Sequence, residues 1–367
     1  MDSNEGIQAH AGFSFSSCVA SDVWHPGKPP SGYEWWYFDA LSDDGRESIV
    51  VIFLDNFIFS PRYNALNRLL RKTPSAGGDN SFPAVAFAYY KDGKPHIRTV
   101  TEFEAGDFYA DAEWPSCGIG QSSFKFDSAP YGSGYSVNVR AELGGGRTLR
   151  ADLEWLSVES DLRPARGNIS EISEGHSWNM VCPRSDVTGK IEVISGRDTS
   201  EEINFRGTGY HDHNLDTRWL PDTVSEWTWG RAHFAGSTAV FYDFKGADPD
   251  EYFSKLLLVK DEGITESDAV FKVAEKARDK FGLRYPKRLV IQANDGTELE
   301  IKQKRVMDSS FFYTRFLCEA VLKSDGVEAK RSCGISEYLA PATLRKGWFD
   351  PLIDMRIGRR GKPSFLT

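Results

Sequence analysis

The amino-acid sequence predicts a mainly β fold built from antiparallel barrels. Its 367 residues exceed what one ordinary compact core holds and suit two domains. The chain has 24 Phe, 14 Tyr and 10 Trp beside 33 Gly, and this combination of strand formers and turn formers favours sheets over helical bundles. Apolar runs also occur in pairs joined by short turns. We therefore expect two antiparallel barrels, each of about eight strands, which is enough to enclose one small ligand.

Four hairpins are indicated along the chain. Each joins two apolar runs through a short turn that contains Gly, the residue that most easily adopts a left-handed backbone. The paired segments are 35–41 with 48–53, 84–90 with 97–100, 135–143 with 148–155, and 288–293 with 298–302. Because the strands do not alternate regularly with helical patterns, antiparallel sheets are favoured over strand–helix–strand units.

One long helix and one short helix are also predicted beside the barrels. Thr265 can cap the long helix, apolar residues recur at three- and four-residue steps up to Phe281, and Gly282 ends it. The short helix covers residues 63–70. The expected organisation is an irregular lead-in (1–30), an N-terminal β-barrel domain (31–205) and a C-terminal β-barrel domain (206–367).

Charge and cysteine content argue against several functions. The formal net charge of -9 repels phosphate backbones, so we expect no nucleic-acid partner. The first residues lack a basic start and a long apolar run, and the five cysteines are scattered, which predicts a cytoplasmic protein with reduced thiols and no membrane span. The basic tail at 356–362 is either a solvated end or a peripheral contact with anionic lipid. No pattern indicates an oligomeric state.

An acidic residue lies among large aromatic residues in the stretch 32–40, which reads GYEWWYFDA. Alternate side chains of a strand point to opposite faces, so Glu34 and Trp36 share one face and Asp39 lies on the other. Burial among apolar groups raises the pKa of a carboxyl group, which makes Glu34 a candidate proton donor and Asp39 a reserve candidate. Alternatively, the aromatic residues fill the barrel floor and the acid pairs with an arginine.

Five polar side chains follow one another in a second stretch, which reads GTGYHDHN. On a strand, Tyr210, Asp212 and Asn214 face one way, and His211 and His213 face the other. Such a run makes a poor core strand and predicts a polar site at the mouth of a cavity. The two histidines also suit a metal ion, but no third ligand follows at a typical spacing, and bonds to backbone or carboxylate are the favoured alternative. No metal is predicted.

A third stretch reads EWTWGRAHF and places Trp227, Trp229 and Arg231 on one face of a strand. Tryptophan faces attract cations and a guanidinium attracts anions, so this wall can stabilise a developing charge. Alternatively, Arg231 neutralises Asp212 or Glu34 beneath a packed aromatic core.

These stretches resemble the carotenoid 1,2-hydratase (hydroxyneurosporene synthase) and AttH-like superfamily, which includes fungal Diels–Alderases. Residues 33–46 (YEWWYFDALSDDGR), followed by 59–61 (FSP), are similar to the opening signature of the hydratases. Residues 209–214, followed by 227–232, are similar to their second signature. The resemblance implies two lipocalin-like β-barrel domains with a ligand pocket between or within them, and no cofactor.

The resemblance also implies an enzyme that acts on an apolar isoprenoid or polyene, by acid-catalysed hydration or cyclisation of a C=C bond. An acid would protonate one carbon, aromatic walls would stabilise the cation, and water would be delivered to it. The candidate catalytic residues are Asp212, Glu34, Asp39, His211, Arg231 and Tyr210. The candidate substrate-binding residues are Trp36, Asn56, Trp227, Trp229, Tyr242, His213 and Asn214.

Two other functions stay open at this point. In a pericyclase of natural-product biosynthesis, the pocket folds a flexible polyene into a reactive shape, and hydrogen bonds from Arg231, Asn56 and Tyr242 polarise it. A non-catalytic carrier would bind a lipid or pigment and release it unaltered. All three hypotheses require a pocket for a hydrophobic small molecule.

Overall fold

The computed structural model describes residues 8–10, 12–74, 81–129, 132–157, 175–196, 198–261, 263–324 and 327–365. Its strands form two units, an open curled sheet and a closed barrel of eight strands. The mainly β fold is therefore confirmed, and only the second unit closes into a full barrel. Among the described residues, none of the helices combines the length and the apolar character needed to cross a bilayer.

The curled sheet is built mostly from the first 216 residues. Its strands are β1 (Gln8–His10), β2 (Phe13–Ser16), β3 (Tyr33–Ser42), β4 (Glu47–Leu54), β5 (Ala84–Lys91), β6 (Lys94–Glu102), β7 (Phe108–Ala110), β8 (Ser116–Ile119), β9 (Ser122–Ala129), β10 (Gly132–Leu143), β11 (Arg147–Ser157), β12 (His176–Ser195) and β13 (Asp198–Asp216). The order is β6-β5-β4-β3-β13-β12-β11-β10-β9-β8-β7, and β2 adds to β12. This order makes β3 and β13 neighbours at the centre of the sheet.

The closed barrel follows in simple antiparallel order. Its strands are β14 (Val224–Phe234), β15 (Ser237–Gly246), β16 (Tyr252–Lys260), β17 (Gly263–Arg278), β18 (Arg284–Ala293), β19 (Glu298–Ser309), β20 (Tyr313–Ser324) and β21 (Val327–Leu339), with β21 paired back to β14. The C-terminal strand β22 (Gly358–Arg359) then returns to the curled sheet and pairs with β6. The helices are α1 (Pro61–Leu70), α2 (Leu220–Thr223) and α3 (Asp350–Asp354), with short 3-10 turns at Val19–Ser21, Ala105–Asp107 and Pro341–Arg345.

The four predicted hairpins are confirmed as β3–β4, β5–β6, β10–β11 and β18–β19. The short helix is confirmed as α1, which begins where the Ser60 hydroxyl accepts hydrogen bonds from the backbone N–H groups of Arg62 and Tyr63. The long helix at 265–281 is wrong, because residues 265–278 belong to strand β17, which pairs with β16 and β18. The lead-in is also more regular than expected, since it contains β1 and β2.

Three apolar clusters organise the molecule. One fills the inside of the curled sheet, a second fills the closed barrel, and the third packs the other face of the sheet against the outside of the barrel. The third cluster holds most of the aromatic residues that the sequence places in its unusual stretches. The domain boundary at residue 205 stays a prediction: β13 runs through it and ends at Asp216, and the barrel begins at Val224.

Candidate active site

The alternation of side chains along β3 and β13 divides the candidate residues between two faces, as predicted. Trp35 and Tyr37 of β3 belong to the cluster between sheet and barrel, and Trp36 belongs to the cluster inside the sheet. β13 pairs with β3 so that Asp212 lies opposite Tyr37 and His213 lies opposite Trp36. Asp212 therefore faces the barrel, and His213 faces the inside of the sheet.

A cavity of about 140 Å³ lies between the curled sheet and the barrel. A smaller lobe of about 30 Å³ adjoins it, and the two share Trp35, Tyr37, Trp227 and Glu337 in their walls. The small lobe is lined by Trp35, Tyr37, Trp178, Asp212, Asn214, Trp227, Trp229, Tyr242 and Glu337. All of these residues except Glu337 are buried, so we call this lobe the inner lobe. It is an aromatic chamber with two carboxyl groups in its walls.

Asp212 is held in the inner lobe by three hydrogen bonds. The indole N–H of Trp178 and the hydroxyl of Tyr210 donate to Oδ2 at 3.0 and 2.9 Å, and the amide of Asn214 donates to Oδ1 at 2.9 Å. Burial raises the pKa of Asp212 to about 8, against the opposing effect of the Trp178 and Tyr210 donors. Asp212 therefore carries a proton at neutral pH. Oδ1 accepts one hydrogen bond and Oδ2 two, so Oδ1 is the oxygen with room for that proton.

The second carboxyl group of the inner lobe belongs to Glu337 on β21. Its Oε1 accepts hydrogen bonds from the Tyr313 hydroxyl at 2.6 Å and from Nε of Arg315 at 2.7 Å. The Arg315 guanidinium also lies over the ring of Tyr37, 5.6 Å from its centre. The two acidic residues of the chamber thus differ in environment, because Asp212 has only neutral donors and Glu337 has a cation beside it.

Asp39 and Arg231 form a fully buried ion pair that joins the sheet to the barrel. Nε of Arg231 donates to Oδ1 of Asp39 at 2.9 Å, and a second guanidinium nitrogen contacts the same oxygen. The Tyr37 hydroxyl donates to Oδ2 at 2.9 Å. The predicted arginine–carboxylate pair therefore exists, but its acid is Asp39, not Asp212 or Glu34. Neither residue of the pair lines the cavity or the inner lobe.

Glu34 lies on the opposite face of β3, away from the chamber, in a network of buried charges. His25 and His213 contact its Oε1 at 2.8 and 2.7 Å, and the Lys28 ammonium contacts Oε2. Burial alone would raise the pKa of Glu34, but Lys28 and the two histidines outweigh it and lower the pKa. Glu34 is thus an ionised partner of three cationic or hydrogen-bonding groups. The structure does not bring this proton-donor candidate to the cavity.

His213 is held between two carboxylates. Burial would lower its pKa, but Asp22 at 3.2 Å and Glu34 at 2.7 Å raise it to about 9. His25, Glu34 and His213 lie close enough to hold a metal ion, yet Lys28 already places a positive charge on the same carboxylate. A divalent cation there would be repelled, so the residues present fit a buried ion-pair network better than a metal site.

Three other predicted residues also lie outside the chamber. His211 stacks on Phe38 and contacts the Tyr37 carbonyl and Asp22, and Trp36 stacks on His213. The Asn56 side chain bonds to the backbone of Gly32 and Phe82, which fixes the end of β4. Trp36, His211 and His213 therefore support the sheet from its other side, and Asn56 supports the end of β4. Only Trp227, Trp229, Tyr242, Asp212 and Asn214 of the predicted set line the chamber.

Sequence reasoning missed several residues of the chamber. Trp178 of β12 pairs with Asn214 of β13, and its indole N–H bonds to Asp212. Glu337 comes from β21, and its partner Arg315, which lines the adjoining cavity, comes from β20. His176 contacts the Tyr242 hydroxyl at 3.3 Å, and burial lowers its pKa to about 3, so its ring is neutral. Arg315 and Glu337 lie on the outer face of the barrel beside Tyr313 and Ile335, and no unusual run in the sequence marks either position.

Comparisons with known proteins identify the family of the chain. The family model for the carotenoid hydratase CrtC matches residues 166–365. A protein named hydroxyneurosporene dehydrogenase, from Chlorobaculum tepidum, is 26% identical over 94% of this chain and 92% of its own length. An acyclic carotenoid 1,2-hydratase from Thiocapsa roseopersicina is 29% identical to this chain in the aligned region. That region covers 58% of this chain and 48% of the hydratase.

A solved structure shows the same fold at low sequence identity. A protein assigned as AttH from Nitrosomonas europaea superposes with a TM-score of 0.57 at 16% identity, over 87% of this chain and 94% of its own. The family model covers more than half of the chain, including Trp178, Asp212 and Glu337. The chain therefore belongs to the carotenoid hydratase CrtC family, which makes it an enzyme of the hydro-lyase or cyclase type.

Proposed function

We propose that this enzyme adds water to a terminal trisubstituted C=C bond of an acyclic isoprenoid chain, with Asp212 as the proton donor. Family membership supports hydration or cyclisation of an isoprenoid as the class of reaction. The observation that carries the proposal is a carboxyl group buried in an aromatic chamber, where burial raises its pKa to about 8. The name of the Thiocapsa relative supports an acyclic carotenoid as the class of substrate.

Asp212 has the properties of a general acid for an alkene. A proton bound with a pKa of about 8 is present at neutral pH, and it is far more acidic than a proton of water. After transfer to the less substituted carbon, the remaining carboxylate keeps its hydrogen bonds from Trp178, Tyr210 and Asn214. These donors stabilise the charge that develops on the acid during the reaction.

The aromatic rings of the chamber would stabilise the other charge, on carbon. Protonation of a trisubstituted double bond gives a tertiary carbocation, which is attracted to the faces of aromatic rings. Trp227 and Trp229 of β14 and Tyr242 of β15 line the inner lobe from the barrel side, and Trp178 lines it from the sheet. A cation formed there is surrounded by rings and lies close to the newly formed Asp212 carboxylate.

Glu337 would accept the proton of the attacking water. Its Oε1 is occupied by Tyr313 and Arg315, which leaves Oε2 for a water molecule at the junction of the inner lobe and the cavity, since Glu337 lines both. The water oxygen bonds to the tertiary carbon, and one of its protons passes to Glu337. Glu337 then releases this proton to solvent and Asp212 takes one up, so the net reaction is the addition of one water molecule.

Lycopene, an acyclic carotenoid, tests this proposal when the reaction is run in heavy water. The hydrated product should contain one carbon-bound deuterium for each water molecule added, and this deuterium survives transfer to ordinary water. Asp212→Asn should lower the rate by roughly 100-fold or more, because general acid catalysis by a positioned side chain contributes about that much. Mass spectrometry of the product gives both results.

Asp243→Asn is the matched control for this experiment. Asp243 also lies on a β-strand, and burial raises the pKa of its carboxyl group. It accepts a hydrogen bond from Ser254, however, and does not line the inner lobe. This variant should keep the rate of the unaltered protein. A product without carbon-bound deuterium, or full activity in Asp212→Asn, would contradict the proposal.

A further inference from the structure

A wide cleft adjoins the cavity on the side away from Asp212. The cleft has a volume of about 1010 Å³ and runs between the curled sheet, the barrel and the C-terminal segment that contains α3. It shares six wall residues with the cavity: Arg98, Asp308, Ser309, Ser310, Ile353 and Arg356. The inner lobe, the cavity and the cleft therefore lie in sequence, from the proposed acid to the surface.

We propose that this cleft binds the unreactive tail of a long, linear, apolar substrate whose end reaches the inner lobe. This inference rests on the proposed function, because it takes the C=C bond near Asp212 as the reacting end. It adds a second binding region, a tail-binding cleft, and it predicts a preference for long chains over short ones that carry the same end group.

The volumes support end-first binding. The cavity and inner lobe, at about 140 and 30 Å³, are smaller than the pockets of roughly 300–1,000 Å³ that enclose drug-sized ligands. They hold the end of an isoprenoid chain but not a whole carotenoid. The cleft is several times larger than the cavity, and it adjoins the cavity where the remainder of the chain would emerge.

The cleft also offers apolar surface to such a tail. Phe281 and Phe311 of the cleft wall pack with their rings 4.9 Å apart, and Phe349 stacks on Phe311 at 3.8 Å. Leu352 on α3 and Val306 on β19 belong to the same wall and are 51% and 39% exposed. Covering exposed apolar side chains with an apolar tail removes their surface from water, which favours binding.

An ion-paired group of three residues marks the boundary between cavity and cleft. Asp308 contacts Arg98 at 3.1 Å and Arg356 at 3.0 Å, and the Arg356 guanidinium lies 5.9 Å from the ring centre of Phe281. The guanidinium groups of the paired arginines contact Asp308, and their methylene chains are presented to neighbouring groups. At this boundary a tail therefore meets paired charges and the ring of Phe281.

The test compares the binding of lycopene and myrcene, a short hydrocarbon with the same trisubstituted end group. Quenching of tryptophan fluorescence reports binding, since Trp35, Trp227 and Trp229 line the chamber. The unaltered protein should bind lycopene at least tenfold more tightly than myrcene. Leu352→Asp should reduce this ratio of affinities at least fivefold. Val306→Asp, on another element, should also reduce the ratio.

Val270→Asp is the control, because Val270 is 60% exposed on β17 and does not line the cleft. It should leave the ratio of affinities unchanged. Equal binding of lycopene and myrcene, or a ratio that survives both cleft substitutions, would overturn the tail-binding cleft. Turnover in the same samples tests the proposed function separately. Binding that depends on the cleft, without hydration, would contradict the proposed reaction but would still support the tail-binding cleft.

Discussion

Asp212 and Glu34 are both buried carboxyl groups on adjacent central strands, yet their surroundings give them opposite properties. Asp212 has neutral donors, and burial raises its pKa to about 8. Glu34 has Lys28, His25 and His213 around it, and its pKa is lowered despite burial. At the scale of single residues, the face of the strand decides which acid can release a proton to a substrate and which one stabilises the sheet.

The pair Asp39–Arg231 leads to a prediction about stability. Both side chains are completely buried, so removing one charge leaves the other without a partner in an apolar environment. Asp39→Asn and Arg231→Met should each lower the free energy of unfolding by about 3–5 kcal/mol. The double variant should lose less than the sum of the two, because no unpaired charge remains. Urea unfolding measures all three, and strictly additive losses would show that the pair is not coupled.

At the scale of elements, the central strand β13 depends on a close approach of neighbouring strands at Gly209. A Cβ atom at this position would lie less than 3.0 Å from Val187 Cγ2, Trp155 Nε1 and the backbone oxygen of Asp39. Close packing therefore requires a glycine at position 209, which is three residues before the proposed acid Asp212.

Gly209→Ala should lower the free energy of unfolding by about 1–3 kcal/mol, the usual cost of overpacking a core. Gly106→Ala is the matched control, since nothing lies within 4 Å of a Cβ at that position. The control should stay within about 0.5 kcal/mol of the unaltered protein, as most surface changes do. Equal thermal stability of both variants would contradict the close packing around β13.

Local patterns predicted the hairpins and α1 because turn residues, caps and alternation act over a few neighbouring positions. The same reasoning failed for β17. Its pairing with β18 shifts register between Val273 and Glu275 and again before Lys276, and each bulge interrupts the two-residue alternation. The interrupted pattern has apolar residues at three- and four-residue steps, as a helix would. The segment is nevertheless a strand, because it forms hydrogen bonds with β16 and β18.

At the scale of the whole molecule, the chamber exists only because the sheet packs against the outside of the barrel. Trp178 and Asp212 come from the sheet, and Trp227 and Glu337 come from the barrel. The residues of β13 and β14 were predictable because they form unusual runs in the sequence. Arg315 and Glu337 were not, since their meeting with Asp212 depends on the packing of one unit on the other.

The pH dependence of lycopene hydration tests the central claim, that Asp212 is the acid, most directly. The reactive form is the protonated one, and the pKa of Asp212 is raised to about 8, so the rate constant should be level near pH 7 and fall as the pH rises through about 8. Asp212→Asn should remove this fall along with most of the rate. A rate that stays constant or increases through pH 8 in the unaltered protein would contradict the account.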